Sequence, residues 1–279
     1  MGTDAALPPT VPADDIGLEA RRLTEAALTA RLDLRLMGGL GVWLTSPSVR
    51  RPPYARQYQD LDFAASSSHR LRVAAFFESM GYRPERMFNA LHGARRLNFL
   101  HPERRWSIDV IFDELRMSHR IDLRGRLGGP GPTLDLADLL LTKLQIWEIN
   151  EKDVGDAVCL LADHELAIGG ARSRSPEAID LRRITALSSA DWGLCHTVLR
   201  NLGKVAELAR SAPPAGAPFE PAAQATTTLS AIDEAPKTVG WRARARVGER
   251  VRWYETPEEV RRDAVQKAAE IGADAGPDA

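Results

Sequence analysis

Apolar residues recur at helical spacing across 16–33 (IGLEARRLTEAALTARLD), which predicts a first helix. LRLM (34–37) is a short apolar run that stops at Gly38-Gly39, ahead of LGVWLTS. That order predicts a strand, a tight glycine turn and a short helix whose N-terminus faces the strand end. A proline-punctuated loop, 47–57, leads into QDLDFA (59–64), and HRLRVAAFFESMGY (69–82) returns to helical periodicity. ARRLNFLH (94–101) and WSIDVIFDEL (106–115) alternate in strand fashion around the turn PERR, a hairpin pattern. HRIDLRGRL (119–127) reads as a further strand.

Beyond residue 133 the pattern is helix after helix: 135–149, 152–164, 177–188 and 190–210. Thr133 or Asp135 is placed to cap the first, and Ser175-Pro176-Glu177 to open the third. SAPPAGAPFEPAAQATTT (211–228) is low in complexity and reads as a linker. In DEAPKTVGWRARARVGERVRWYETPEEV the apolar residues fit a strand by alternation and a helix by the set Val239, Ala243, Val247, Val251, Tyr254. Its length and Asp/Pro opening favour an arginine-rich helix. The predicted organisation is a disordered tail (1–15), an α/β domain (16–130), a helical domain (131–211), a linker (212–228) and an arginine-rich C-terminal segment (229–279).

Composition adds limits. A chain of 279 residues, 44% hydrophobic, is long enough for one large or two modest domains with a real core. Its formal net charge of -1 gives no global field to recruit nucleic acid or an anionic membrane. The opening MGTDAALPPTVPADD lacks the apolar core of a signal peptide, and no apolar run suits a bilayer. Cys159 and Cys195 fall on separate predicted helices and form no metal or disulfide framework, so a cytoplasmic location is expected.

The candidate chemistry lies in QDLDFA. On a strand, Asp60 and Asp62 share one face while Leu61 and Phe63 take the other. Aspartate is a poor strand former, and two like charges on one face repel. Asp109 lies among apolar neighbours in SIDVIF, where an unpaired buried charge is costly. If the two strands are adjacent, three carboxylates converge on one patch with no arginine beside them in sequence. Hard cations such as Mg²⁺ take oxygen ligands of this kind, and two ions can clamp the attacking and leaving oxygens of a phosphoryl displacement. A solvated acidic face is the plainer alternative.

LMGGLGVWL, QDLDF, SIDVIF and the downstream LADLLLTKLQIWEINEKDVGDAVCLL together resemble nucleotidyltransferases of the DNA polymerase β type superfamily. The downstream segment is similar to the AbiEii-like toxin branch and related uncharacterised nucleotidyltransferases, and the resemblance spans about residues 34–164. It implies an α/β (α+β) fold, a nucleotidyltransferase-type mixed sheet flanked by helices and followed by a helical domain. It also implies Mg²⁺, an NTP such as ATP, and transfer of an NMP group to an acceptor hydroxyl. By residue, Gly38 and Gly39 match the glycine turn, Asp60 and Asp62 the two metal-ligand acids, and Asp109 the third acid. Lys143 and Asp156, with Lys152 and Asp153 beside them, match the downstream lysine and acid. The second turn residue is Gly39 where the family often has serine. The interval to the acids is long, filled by a loop offering Ser46, Ser48, Arg50, Arg51 and Arg56 as phosphate contacts.

Lysine is scarce here, five residues in all, yet two fall at 143 and 152. Lys143 lies inside LLLTKLQIW, where a surface ion pair explains it less well than a phosphate contact; Lys152 is equally a surface partner for Asp156. Asp156 reaches the same cleft only if the chain bends near Asn150. His92 reads as a loop residue with Asn89, Arg95 and Arg96, stabilising the loop in preference to contacting nucleotide or acceptor. The acceptor is a tRNA end or a small molecule, and the rival reading is an inactive fold that only binds nucleotide or a partner. The oligomeric state is not legible from the sequence.

Overall fold

The computed structural model describes residues 16–101, 103, 106–167 and 177–256. Helix α1 (Ile16–Thr29) leads through a turn into strand β1 (Leu34–Met37), and α2 (Gly38–Thr45) starts directly at the strand end. Then come β2 (Asp60–Ala65), α3 (Arg70–Ser79), β3 (Arg83–Pro84), α4 (Arg86–His92), β4 (Arg96–Leu100) and β5 (Ser107–Phe112). The five strands form one mixed sheet in the order β1-β2-β5-β4-β3, with only β2 and β5 parallel. The fold is thus α/β, a mixed sheet flanked by helices.

The alternation in β2 and β5 decides how the sheet is covered. Leu61, Phe63, Ile108, Val110 and Phe112 point to one face and pack with Leu23 of α1 and Phe77 of α3. The other face carries Asp60, Asp62, Ala64, Asp109 and Ile111, and part of it meets the helices that follow.

Asp113, at φ 61, ends β5 and splits the expected strand 106–115; β6 (Glu114–Arg116) pairs instead with β7 (Arg120–Asp122) in a small ribbon. The helical part follows as α5 (Leu136–Leu144) and α6 (Glu151–Asp163), then a two-stranded pair, β8 (Glu165–Ala167) with β9 (Ala178–Asp180). It closes with α7 (Leu181–Ala190), α8 (Trp192–Ser211), α9 (Pro221–Glu234) and α10 (Val239–Val247). Among the described residues no helix is long and apolar enough to cross a membrane.

Several expectations are corrected. The expected helix 177–188 begins at Leu181, capped by Asp180, because 178–180 pair as a strand; Ser175 and Pro176 lie outside the described residues. The expected linker 212–228 is helical from Pro221 onward. Pro221, Ala225, Thr228 and Ile232 recur at helical spacing and are buried, a stripe of small residues that low complexity conceals. Gln224 fastens α9 to the end of α6, donating to Leu161 O and to His164 O (2.8 Å) and accepting from Leu166 N (2.8 Å). The arginine-rich helix is shorter than expected, since Gly248 at φ 59 ends it and 251–256 are neither helix nor strand. His92 closes α4 against Phe88 instead of lying in a loop.

Candidate active site

Parallel pairing sets Asp62 directly beside Asp109, and Asp60 beside Ser107. Neighbours in register present their side chains to the same face, and strands lie about 4.8 Å apart. Two carboxylates that close favour a counter-charge. The neighbouring strand β4 supplies one. Asn98, opposite Asp109, donates Nδ2 to Oδ1 at 3.0 Å. Arg96 lays its guanidinium fork across the same carboxylate, Nε to Oδ1 at 2.6 Å and Nη2 to Oδ2. The expectation of three acids without an arginine is therefore corrected.

Asp62, Asp109 and Arg96 line a cleft of about 200 Å³ together with Gly38, Lys143 and Asp153. Asp60 sits at the exposed start of β2, accepts from Ser107 Oγ at 2.9 Å and does not line that cleft. Among the described residues no group of three His, Cys, Asp or Glu side chains stands ready for a metal ion. Asp109 is turned to Arg96 and Asp60 to Ser107. The donor chemistry still suits a hard cation, because Asp60, Asp62 and Asp109 are carboxylates on one face of adjacent strands. Arg96 is the competitor such a cation would displace from Asp109.

Gly38 is fixed by two constraints. Its φ of 65 is left-handed, and a Cβ there would lie 2.1 Å from Asp62 Oδ2. The backbone thus presses on the carboxylate at the N-terminus of α2, where Met37 offers no capping side chain. A Cβ on Gly39 would meet Arg56 Nη2 at 2.8 Å and the Tyr58 ring at 2.9 Å. That crowding explains a glycine where serine is common in the resembled family.

Lys143 of α5 is buried and pairs with Asp153 Oδ1 at 2.7 Å and Asp156 Oδ2 at 2.9 Å, both on α6. Burial opposes its charge, but Asp156 and Asp153 more than offset this, so its pKa is raised. The pairing needs the bend expected near Asn150. Gln145 closes α5, and Asn150 caps α6 by accepting from Asp153 N. Asn201 of α8 holds the turn, donating to Leu144 O (2.8 Å) and Ile146 O (2.7 Å).

Asp156 does not line the cleft. It is buried behind Lys143 and accepts from Arg56 Nη2 at 2.6 and 2.8 Å. Arg56 also lies 4.2 Å over the Tyr58 ring. Lys152 is exposed on α6 and does not line the cleft; Asp153 is the neighbour that does.

In the loop 46–58 the residues expected to meet a phosphate are engaged within the protein. Ser48 binds Asp163 through its N–H (2.8 Å) and Oγ (2.7 Å), and Ser46 meets His164. Arg50 donates to Trp43 O and Arg51 to Ala215 O. Arg96 is the cleft residue that sequence reasoning missed. A four-residue turn PERR implies the pairing Asn98–Asp109, which places Arg96 on the acid face.

No protein-family model and no curated protein matches the chain. Among solved structures, it is similar to the lincosamide antibiotic adenylyltransferase LnuA with lincomycin bound. That likeness has 17% identity and a TM-score of 0.37, over 51% of this chain and 94% of the other. It is also similar to an antigenic nucleotidyltransferase-like protein from Paracoccidioides brasiliensis, with 12% identity and a TM-score of 0.40, over 82% and 96%. At these scores the functional reading has to rest on the site itself.

Proposed function

We propose that the chain is a nucleotidyltransferase that moves an NMP group from an NTP to an acceptor hydroxyl. The observation that carries this reading is the in-register pair Asp62–Asp109 beside the Gly38 turn at the start of α2. Asp60 and Asp62, with Asp109 once released from Arg96, would hold Mg²⁺. The cation would neutralise charge on the triphosphate and on the attacking oxygen. The chain's own groups do the positioning. The Gly38-Gly39 turn and the amides opening α2, which no side chain caps, would take a phosphate once a cation offsets the Asp62 carboxylate beside Gly38. Lys143, kept protonated by its two aspartates, lines the wall, and Arg96 would turn its charge to the triphosphate once Asp109 lets it go. Asp109, once released from Arg96, would accept the acceptor's proton. The acceptor is a tRNA end or a small molecule, and the Lys143–Asp153–Asp156 link across α5 and α6 suits the toxin-like branch.

One observation favours the binding-only alternative: Arg96 already satisfies Asp109 in the way a retired metal site would be filled. Pyrophosphate release with Mg²⁺ and each NTP separates the two. Wild type should release pyrophosphate once acceptor is present, and Asp62→Asn should lower kcat on the order of 10³-fold, as loss of a charge-stabilising group does. Equal Tm shifts with Mg²⁺-NTP for both proteins, and no release by either, would end the enzymatic reading.

A further inference from the structure

We propose that the aromatic corner built from α8, α10 and residues 251–256 binds a nucleobase with its adjoining phosphate. Four of the six tryptophans, at 147, 192, 241 and 253, gather there. The corner holds a cavity of about 460 Å³, lined by Trp192, Trp241, Trp253, Tyr254, Arg244 and Arg252. That volume suits a small planar ligand.

The rings are half-buried and mutually braced. Trp253 stands edge-on to Trp147 at 4.6 Å, and Tyr254 stacks on Trp147 at 5.0 Å and 19°. Guanidinium groups cover their faces: Arg244 lies 4.7 Å over Trp192 and Arg252 4.9 Å over Tyr254. Trp192 also stacks on His196 (5.0 Å, 13°), so a base would stack on the outer face of a guanidinium that itself lies on a ring.

The charge pattern fits the attached phosphate. Residues 242–252 hold five arginines against the single acid Glu249, which lies 3.0 Å from His196. Arg246, Arg250 and Arg252 are exposed. The acids at the cavity are already engaged, Asp191 capping Leu194 N (3.0 Å) and Glu255 pairing with Arg120 (2.9 Å). Arg242 and Arg244 fasten backbone carbonyls of Lys237, Gly248 and Val251, but a corner that merely clamped the segment onto α8 would not need the exposed charges of Arg246, Arg250 and Arg252. The corner also adjoins the acidic cleft through consecutive residues: Met117 and Ile146 line the cleft, while Trp147 N donates to Ser118 Oγ and Glu255 N to Ser118 O.

The inference rests on this corner and not on the chemistry of the cleft. Equilibrium dialysis with radiolabelled AMP, in EDTA so that the cleft has no cation, tests it on the full chain. Wild type should bind saturably, and Asp62→Asn should bind equally well. The triple variant R246Q/R250Q/R252Q should bind at least tenfold more weakly with an unchanged Tm, and Trp192→Ala should lose binding. A single-stranded RNA ten-mer binding far tighter than AMP identifies a strand as the natural source; equal affinity identifies a free nucleotide. No saturable binding up to millimolar AMP, unchanged affinity in the triple variant, or loss in Asp62→Asn would overturn the proposal.

Discussion

Asp138 and Asp156 on the helical side differ from Asp109 on the sheet in how deeply they are buried and in how many cations grip them. Asp138 and Asp156 each have a side chain 1% exposed and two cationic partners. Asp138 takes Arg183 Nε at 2.9 Å and also Arg126; Asp156 takes Arg56 and Lys143. Burial, and then nearby Asp135, push the Asp138 carboxyl above its usual range in spite of both arginines. Asp62 and Asp109 instead stand at a cleft, and the arginine fork seen there grips Asp109 with both ends still 14–17% exposed. A saturated, fully buried acid is scaffold. An acid held by one arginine at the wall of a cleft is what the proposed ligand role requires.

The largest effect should come from breaking the scaffold. Asp156→Ala strips Arg56 of its carboxylate partner and leaves Lys143 with Asp153 alone among its two acids. Removing one member of a buried ion network costs about 3–5 kcal/mol, and this variant should fall near the low end because Arg56 reaches partly to solvent. Urea unfolding measures it. A cost below about 1 kcal/mol, the range of a surface pair, would erase the distinction between the two kinds of acid.

A second test uses pH. His119 is 5% exposed, its Nε2 lies 2.8 Å from Thr197 Oγ1, and burial pushes its pKa down to about 4 from 6.5. The unfolded chain therefore binds a proton that the folded one refuses, so stability falls as pH drops from about 6.5 to about 4. The full penalty is roughly 3 kcal/mol at 1.4 kcal/mol per pKa unit. His119→Gln should flatten that slope in Tm scans over the same interval. Parallel slopes would mean that the ring protonates without cost.

Next in size is Gly38→Ala. A left-handed φ costs a residue with a Cβ about 1–2 kcal/mol, and the 2.1 Å approach to Asp62 Oδ2 must also be relieved. Activity should fall with stability, because the shift moves a proposed ligand. If Gly38→Ala leaves both unchanged, the turn does not brace the site.

The sheet was legible because β2 and β5 alternate cleanly, with Leu61, Phe63, Ile108 and Val110 buried opposite their acids. A break near Asn150 was legible from the apolar pattern, but the expected helix 135–149 ends five residues sooner, at Leu144, because Asn201 of α8 binds the carbonyls of Leu144 and Ile146. What escaped was set by partners distant in sequence. Arg56 reads as a loop cation, but Asp156, one hundred residues on, claims it. Residues 178–180 read as the start of a helix, but they pair with β8. α9 hid because alanine and threonine make a buried stripe without looking apolar. Arg96 was within reach, had the hairpin register been counted from its turn.

The smallest effect on stability should be the most informative about the sheet acids. Arg96→Gln removes the fork from Asp109 but leaves the Asn98 hydrogen bond in place. If the pair is scaffold like Asp138, the loss should approach the cost of Asp156→Ala. If the fork is an exchangeable cover, the apo variant should lose only about 1 kcal/mol, a partly exposed pair being worth little more. The uncovered carboxylates should then gain cation affinity, since a competitor for Asp109 is gone. Titrating Mg²⁺ or Mn²⁺ while following Tm reads both terms at once, without relying on turnover. The variant should start lower than wild type, rise more steeply with cation, and reach or pass the wild-type Tm at saturation. A flat response to cation in both proteins would place Asp109 with Asp138 as scaffold, and the two-acid contrast would collapse to Asp62 alone.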